Sequence, residues 1–526
     1  MNRDVSISKL LGRSNPFDIA IIGGGATGVG IAVDAASRGY STVLLEQSDF
    51  GKGTSSRSTK LVHGGVRYLQ RGNIGLVTEA LKERGILRQN APHLVHDLAF
   101  IVPNYSWWEG PFYGIGMKVY DKLAGRYGFG KSRLLSKEEV LERIPTLEQE
   151  GLRGGVLYYD GQFDDSRLLI DLAQTAGDQG AVLVNYAKVV ELTFDAGHLI
   201  DGVGFEDLET GRRHSLRARC VINATGAFSD AVRRIDDPAA TPIIAASQGV
   251  HLVLDRSFLP NDSAIMVPRT SDGRVMFAIP WHGHSLIGTT DTPILAVSLE
   301  PVARGEEIDF LLETAGQYLH KHPTRRDVLS VFAGIRPLVR QAETSKTAVL
   351  SREHTIEVSK SGLITIAGGK WTTYRKMAQD CVDHAAGIAK LKERPCVTEA
   401  LRIHGYHEQA EQFGELRYHG SSAVGIRELV EERAELGERL HEALPIIGAQ
   451  VVWGARHEMA RRVDDILARR TRALFLNAGA AVQMAARVAK LMAGELGRDE
   501  GWERDQVTEF NVIAGNYSLN SPVGGV

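Results

Sequence analysis

Residues Asp18 to Gly39, reading D-I-A-I-I-G-G-G-A-T-G-V-G-I-A-V-D-A-A-S-R-G, restrict the possible folds more than any other stretch. Ile19 to Ile22 form the continuous apolar run of an interior parallel strand, and Gly23, Gly25 and Gly28 follow at G-x-G-x-x-G spacing. Gly23 turns the chain, Gly25 clears the path of a phosphate, and Gly28 packs helix on strand. Ala26 and Thr27 then open a helix whose N-terminus can face a pyrophosphate. A second strand, Ser41 to Leu45, ends in Glu46, about 20 residues on, where a carboxylate can hold both ribose hydroxyls and disfavours a 2′-phosphate. Strand, turn, helix, strand and acid in register predict a dinucleotide site. Which dinucleotide it takes stays open on these residues alone.

At 526 residues the chain exceeds what one core usually supports, so two or three domains are expected. The formal net charge of -3 and the lack of a long Lys/Arg run argue against nucleic acid as a partner. Cys220, Cys381 and Cys396 are odd in number and far apart, which excludes a disulfide framework, shows no metal-ligand spacing and points to a reduced, cytosolic setting. The N-terminus lacks the apolar core of a secretory signal. The longest apolar run, around Ile19 to Ala36, is spent on the glycine turn, so no membrane-spanning segment is predicted.

Three further segments point at the same ligand. Thr54 to Leu69, T-S-S-R-S-T-K-L-V-H-G-G-V-R-Y-L, is dense in hydroxyls and cations. Thr54, Ser55, Ser56 and Lys60 suit a phosphate or a flavin edge there, and His63-Gly64 suggests close backbone approach. Val221 to Asp230 reads as a strand ending in the small residues Ala224, Thr225 and Gly226. Gly362 to Ala378 is again strand, glycine turn and helix, with Gly369, Lys370 and Thr372 at the helix start. Separated pieces around one glycine fingerprint imply a single extended cofactor threaded through a discontinuous domain. FAD fits that better than NAD, because an NADPH-using flavoprotein would show a second fingerprint.

Ile22 to Gly39 and Gly368 to Ala378 (G-G-K-W-T-T-Y-R-K-M-A) resemble the two signatures of the FAD-dependent glycerol-3-phosphate dehydrogenases, within the flavoproteins similar to D-amino-acid oxidase. The resemblance continues through Ser55 to Tyr68, Ala333 to Val339, Ser351 to His354 and Trp453 to Arg472, and so covers nearly the full chain. It implies an α/β architecture. A discontinuous Rossmann-like FAD-binding domain would occupy 1–90, 151–240 and 331–395. An antiparallel-sheet substrate domain, with a membrane-facing segment, would occupy 91–150 and 241–330, and a helical C-terminal cap 396–526. The implied activity is oxidation of sn-glycerol 3-phosphate to dihydroxyacetone phosphate by hydride transfer from C2 to FAD, with electrons passed to membrane quinone. An oxidase using oxygen, and a non-catalytic FAD-binding partner module, are the alternatives.

A phosphate dianion requires several fixed cations, preferably arginine forks. The resemblance places Arg67, Tyr68, Arg336, Arg352 and Lys370 around the substrate phosphate and hydroxyls. Oxidising a secondary alcohol also needs an acceptor for the hydroxyl proton. His251, in S-Q-G-V-H-L-V-L, is the first candidate and His63 its rival, with Arg336 beside the developing alkoxide and Thr289 orienting the substrate. Helical spacing recurs over Ile426 to Leu444 and Met459 to Leu474 in the cap. His457-Glu458 lacks the second histidine of a zinc helix, so no metal is expected. Trp107 to Tyr127 mixes aromatics with Lys118, Lys122 and Arg126, which suits peripheral attachment to the cytoplasmic membrane from the cytoplasmic side. Assembly stays open, a homodimer being one option.

Overall fold

The computed structural model describes residues 1–65, 73–271, 273–340 and 354–519. The segment Ile19–Ile22, buried throughout, becomes a central strand of a six-stranded sheet. It pairs in parallel with Thr42–Leu45 on one side and Val221–Asn223 on the other. Ile364–Gly368 and Val182–Val184 extend the parallel set outward, and His354–Val358 closes one edge antiparallel. The neighbour order therefore reverses at Ile19–Ile22, which opens a crevice beyond the C-terminal ends of the strands. Helix Ala26–Ser37 packs between the helices Asp165–Asp178 and Tyr374–Ile388, and its small residues allow that close approach.

The second sheet has ten strands and is antiparallel apart from one parallel pairing of Ser263–Val267 with Val95–Asn104. One edge of it is the long ladder of Ile244–Asp255 against Val328–Val339. Three of its strands fall outside the boundaries expected from sequence, the shortest being Leu61–Val62, which pairs with Gly154–Phe163. Gly154–Phe163 pairs with Val95–Asn104 over ten rungs, and Val328–Val339 pairs with Ile244–Asp255, so both belong to this sheet and not to the dinucleotide-binding one. Backbone pairing with partners distant in sequence decides their membership.

The cap is helical mainly through Ala423–Glu432, Gly448–His457, Ala478–Leu496 and Glu500–Gly515. The helical spacing read through Leu444 ends at Glu432, and Arg439–His441 instead pairs with Leu444–Ile447 as a short hairpin. Within Met459 to Leu474 the chain forms a π-helix, Asp465–Arg470, before a short α-helix begins at Ala473. Leu474, Phe475 and Met484 of the cap share one apolar cluster with Phe332, Val253 and Trp281 of the ten-stranded sheet, so the cap is packed into the body.

Helix Glu109–Ala124 buries Met117, Tyr120 and Ala124 and leaves an apolar face exposed, with Trp107 79% and Ile115 68% accessible beside Phe112 and Val119. No helix among the described residues is long and apolar enough to cross a membrane.

Candidate active site

The crevice predicted by the strand order is a cleft of ≈ 340 Å³. Gly23, Gly25, Ala26, Thr27, Glu46, Thr54, Ser55, Ala224, Thr225, Gly226, Gly369 and Lys370 all line it, so the fold brings the separated sequence segments to one place. Gly23 has φ +109°, and a Cβ there would stand 2.8 Å from the Ala224 carbonyl oxygen. At Gly28 a Cβ would meet the Gly23 oxygen at 2.0 Å, so the helix start rests directly on the turn. Gly25 caps the helix without a side chain of its own, and Ala26 N, the first helical N–H, donates to Ser55 Oγ at 2.9 Å, both residues lining the cleft.

Glu46 lines the same cleft and fastens its entrance: its Oε2 accepts from Gly24 N at 2.6 Å and its Oε1 from Ser48 N at 2.8 Å. Burial pushes this carboxyl up, against those two bonds. Glycine-shaped space, a helix start in the cleft wall and an acid at the end of the second strand fit a dinucleotide carrying pyrophosphate and ribose.

Six residues predicted to touch the cofactor, Gly28, Ser56, Lys60, His63, Gly64 and Thr372, do not line the cleft. Lys60 is fully buried, its Nζ 2.7 Å from Asp165 and donating to the Ser56 carbonyl at 2.8 Å, among the rings of Trp281, Phe332 and Phe475. Burial pushes its ammonium down to about 7 despite Asp165, whose carboxylate it shares with Arg472. Ser56 is buried as well. Gly64 donates to the Tyr120 hydroxyl at 2.8 Å, with Leu81 packed over its Cα, and Thr372 accepts from His63 N at 3.2 Å. These residues hold the 54–64 loop in place from behind. The polar composition of that loop was visible in the sequence, but which side chains turn inward depends on partners far away.

Of the proton-transfer candidates, His251 and Arg336 lie on one face of the 244–255 and 328–339 ladder, and His63 does not. Ser247 lies opposite Arg336, Gly249 opposite Gly334, and His251 opposite Phe332. His251 is 2% exposed, its imidazole stacks on Phe332 with centroids 4.8 Å apart, and its Nε2 stands 2.9 Å from Thr59 Oγ1. Burial, then the charges of Lys60 and Arg336, hold His251 well below the ordinary histidine value, so it is neutral at neutral pH. Glycines make room for the active groups. A Cβ on Gly288 would stand 2.2 Å from His251 Cδ2, and one on Gly249 would stand 2.3 Å from Arg336 Nη2 and 2.7 Å from Thr289 Oγ1.

Arg336 is aimed by its neighbours. Nη2 donates to Thr290 O at 2.9 Å and Thr289 Oγ1 at 3.1 Å, and Nη1 approaches Asp291 at 3.2 Å. Ile335 and Pro337, on either side of Arg336, line the cofactor cleft, whereas His251, Arg336 and Thr289 do not; the strand borders the cleft, and alternation along it turns Arg336 to the other face. Lys370 lies in the cleft wall itself. Arg67, Tyr68 and Arg352 lie outside the described residues. Sequence reading missed Thr59, Asp291 and the cleft-lining Lys52, Arg57 and Trp371. The Thr59 to His251 contact spans 192 residues, and no local signal announces it.

The fold and this cleft define a flavoprotein oxidoreductase: residues 18–375 match the family of FAD dependent oxidoreductases, and residues 362–503 match the C-terminal domain of alpha-glycerophosphate oxidase. The mitochondrial glycerol-3-phosphate dehydrogenase of Homo sapiens is 41% identical over 94% of this chain and 73% of its own length. That of Arabidopsis thaliana is 40% identical over 94% of this chain and 85% of its own. The glycerol-3-phosphate dehydrogenase of Bacillus halodurans, solved complexed with FAD, superposes with a TM-score of 0.81 at 33% identity and covers 100% of this chain and 99% of that one. The L-alpha-glycerophosphate oxidase of Mycoplasma pneumoniae shares the fold, at 16% identity and a TM-score of 0.57 over 74% of this chain and 98% of that one. The chain belongs to the FAD-dependent glycerol-3-phosphate dehydrogenase family, and its cofactor is FAD.

Proposed function

We propose that the protein oxidises sn-glycerol 3-phosphate at C2 to dihydroxyacetone phosphate and delivers the electrons to a membrane quinone. The observation that carries this reading is the placement of a neutral, buried His251 beside Arg336 and Thr289, one strand away from a dinucleotide cleft. Bound FAD supplies the acceptor for the hydride leaving C2. The protein's own groups handle the proton and the charge. His251 Nε2 shares a hydrogen bond with Thr59 Oγ1, and in the tautomer that carries its proton on Nε2 the other nitrogen, Nδ1, without a hydrogen-bond partner among the described residues, accepts the proton of the C2 hydroxyl. Arg336, aimed by Thr289 and Thr290, stabilises the negative charge that develops on that oxygen. Lys370, together with Arg67 and Arg352, supplies the cations for the phosphate, and Tyr68 a hydroxyl donor. His63, whose backbone is tied to Thr372, is the alternative proton acceptor.

The exposed apolar face of helix Glu109–Ala124, with the exposed Lys118 and Lys122 beside it, supports peripheral attachment to the cytoplasmic membrane. Such attachment would bring the enzyme to its quinone. Anaerobic titration tests the assignment. sn-Glycerol 3-phosphate should bleach the bound flavin and glycerol should not. Unchanged absorbance with both would overturn it in favour of a non-catalytic FAD-binding module, and stoichiometric peroxide under air would favour an oxidase.

A further inference from the structure

The 46–57 loop has two faces. Toward the cleft it presents Glu46, Lys52, Thr54 and Ser55. On the other side it is held by the cap. Asp49, fully buried, receives a two-point fork from Arg470, with Nη1 to Oδ2 at 2.6 Å and Nη2 to Oδ1 at 2.9 Å, and a further ion pair from Arg469. Lys52 Nζ meets Asp464 at 2.7 Å, and Arg472 Nη2 donates to the Ser56 carbonyl at 3.0 Å. Burial alone would push the Asp49 carboxyl up, but Arg470 and Arg469 outweigh it and keep the group charged.

The cap backbone is shaped for this grip. Asp465–Arg470 is wound as a π-helix, with Thr471 N donating to Ile466 O at 2.9 Å, and Arg472 follows at φ +65°. A widened turn and a left-handed arginine persist only where the surroundings impose them, and here they turn Arg469, Arg470 and Arg472 toward the same loop. Yet no described residue beyond Met377 lines the cleft.

We propose that the cap is a cofactor-retention element, in which the segment Asp464 to Arg472 holds the 46–57 loop in its FAD-binding shape from a domain none of whose described residues lines the cleft. The proposal rests on the reading that FAD occupies that cleft. A loop ordered in advance spares the cofactor the cost of ordering it, and by linkage any stability the cap lends to FAD binding must be returned by FAD to the cap.

Hydrogen exchange on the full chain, with FAD bound and after FAD has been stripped, tests this without any substitution. FAD should slow exchange both in 46–57 and in 458–472. Protection of 46–57 with 458–472 unchanged would overturn the proposal. Protection of neither 23–28 nor 46–57 would instead remove the cleft assignment, and the proposal with it. Equilibrium titration of Arg470→Gln with FAD should show binding weakened by at least about tenfold, because the fork on Asp49 is lost. A folded variant that binds FAD within about twofold of the parent would overturn the proposal.

Discussion

Thr59 Oγ1 stands 2.9 Å from His251 Nε2, joining a loop of the dinucleotide-binding domain to a strand of the ten-stranded sheet. With one ring nitrogen so engaged and the ring face stacked on Phe332, the imidazole is held in one orientation. Thr59→Val, which keeps the shape and removes the hydroxyl, should lower kcat by about 10- to 100-fold, part of the ordinary contribution of an oriented acid–base group, with little change in KM. Thr59→Ser should recover most of the loss. Steady-state kinetics on both variants checks this, and equal activity in Thr59→Val and the parent would show that the contact does not position the base.

The pH dependence follows from the surroundings of His251. Burial, Lys60 and Arg336 lower its affinity for a proton, so it stays neutral and able to accept one down to a pH below 6.5. Activity should therefore fall as pH drops through that depressed value. The stability contribution has the same sign: it is present above the unfolded value of about 6.5 and is lost as pH falls through the folded one. Lys60→Met removes a nearby positive charge, so the acid limb of kcat/KM should move to higher pH while remaining below 6.5, because burial is the larger cause. A limb that stays in place or moves to lower pH would exclude His251 as the titrating base.

Much of this site is encoded locally. Gly23, Gly25 and Gly28 announce the turn because each has a steric task within a few residues, and the apolar runs 19–22 and 221–223 announce buried parallel strands. Lys60 shows the limit of such reading. Its loop looks like a phosphate-binding loop, but the side chain is drawn inward by Asp165, 105 residues away, whose carboxylate also pairs with the cap's Arg472. Likewise, whether Val328–Val339 joins one sheet or the other depends on the partner strand and not on its own pattern. The aim of Arg336 is set by Thr289, Thr290 and Asp291 on a neighbouring turn, which spacing along the chain does not reveal.

Gly249 is where that aim is most vulnerable. A methyl group there would overlap the Arg336 guanidinium at 2.3 Å and the Thr289 hydroxyl at 2.7 Å. Gly249→Ala should swing Arg336 away from the substrate while leaving the distant dinucleotide turn untouched. The expected result is a loss in kcat/KM of at least about tenfold, the scale of one misplaced charged hydrogen bond, with full FAD content. Kinetics together with bound-flavin absorbance checks it, and a parallel loss of FAD would point to general disruption instead.

Membrane attachment makes a prediction independent of the chemistry. Phe112 and Ile115 lie on the exposed face of helix Glu109–Ala124, away from the buried Met117 and Tyr120, so removing them costs little in folding. Full burial of one such side chain is worth about 1.5–3 kcal/mol, and a headgroup-level helix submerges only part of each. Phe112→Ser with Ile115→Ser should therefore weaken binding to anionic vesicles by about 2 kcal/mol, or roughly thirtyfold. Reduction of the flavin by sn-glycerol 3-phosphate should be unchanged, because neither side chain lines the cleft. Vesicle sedimentation alongside anaerobic reduction separates the two effects: unaltered sedimentation would mean that this face serves another contact, while coupled loss of both would mean that the helix supports the site itself.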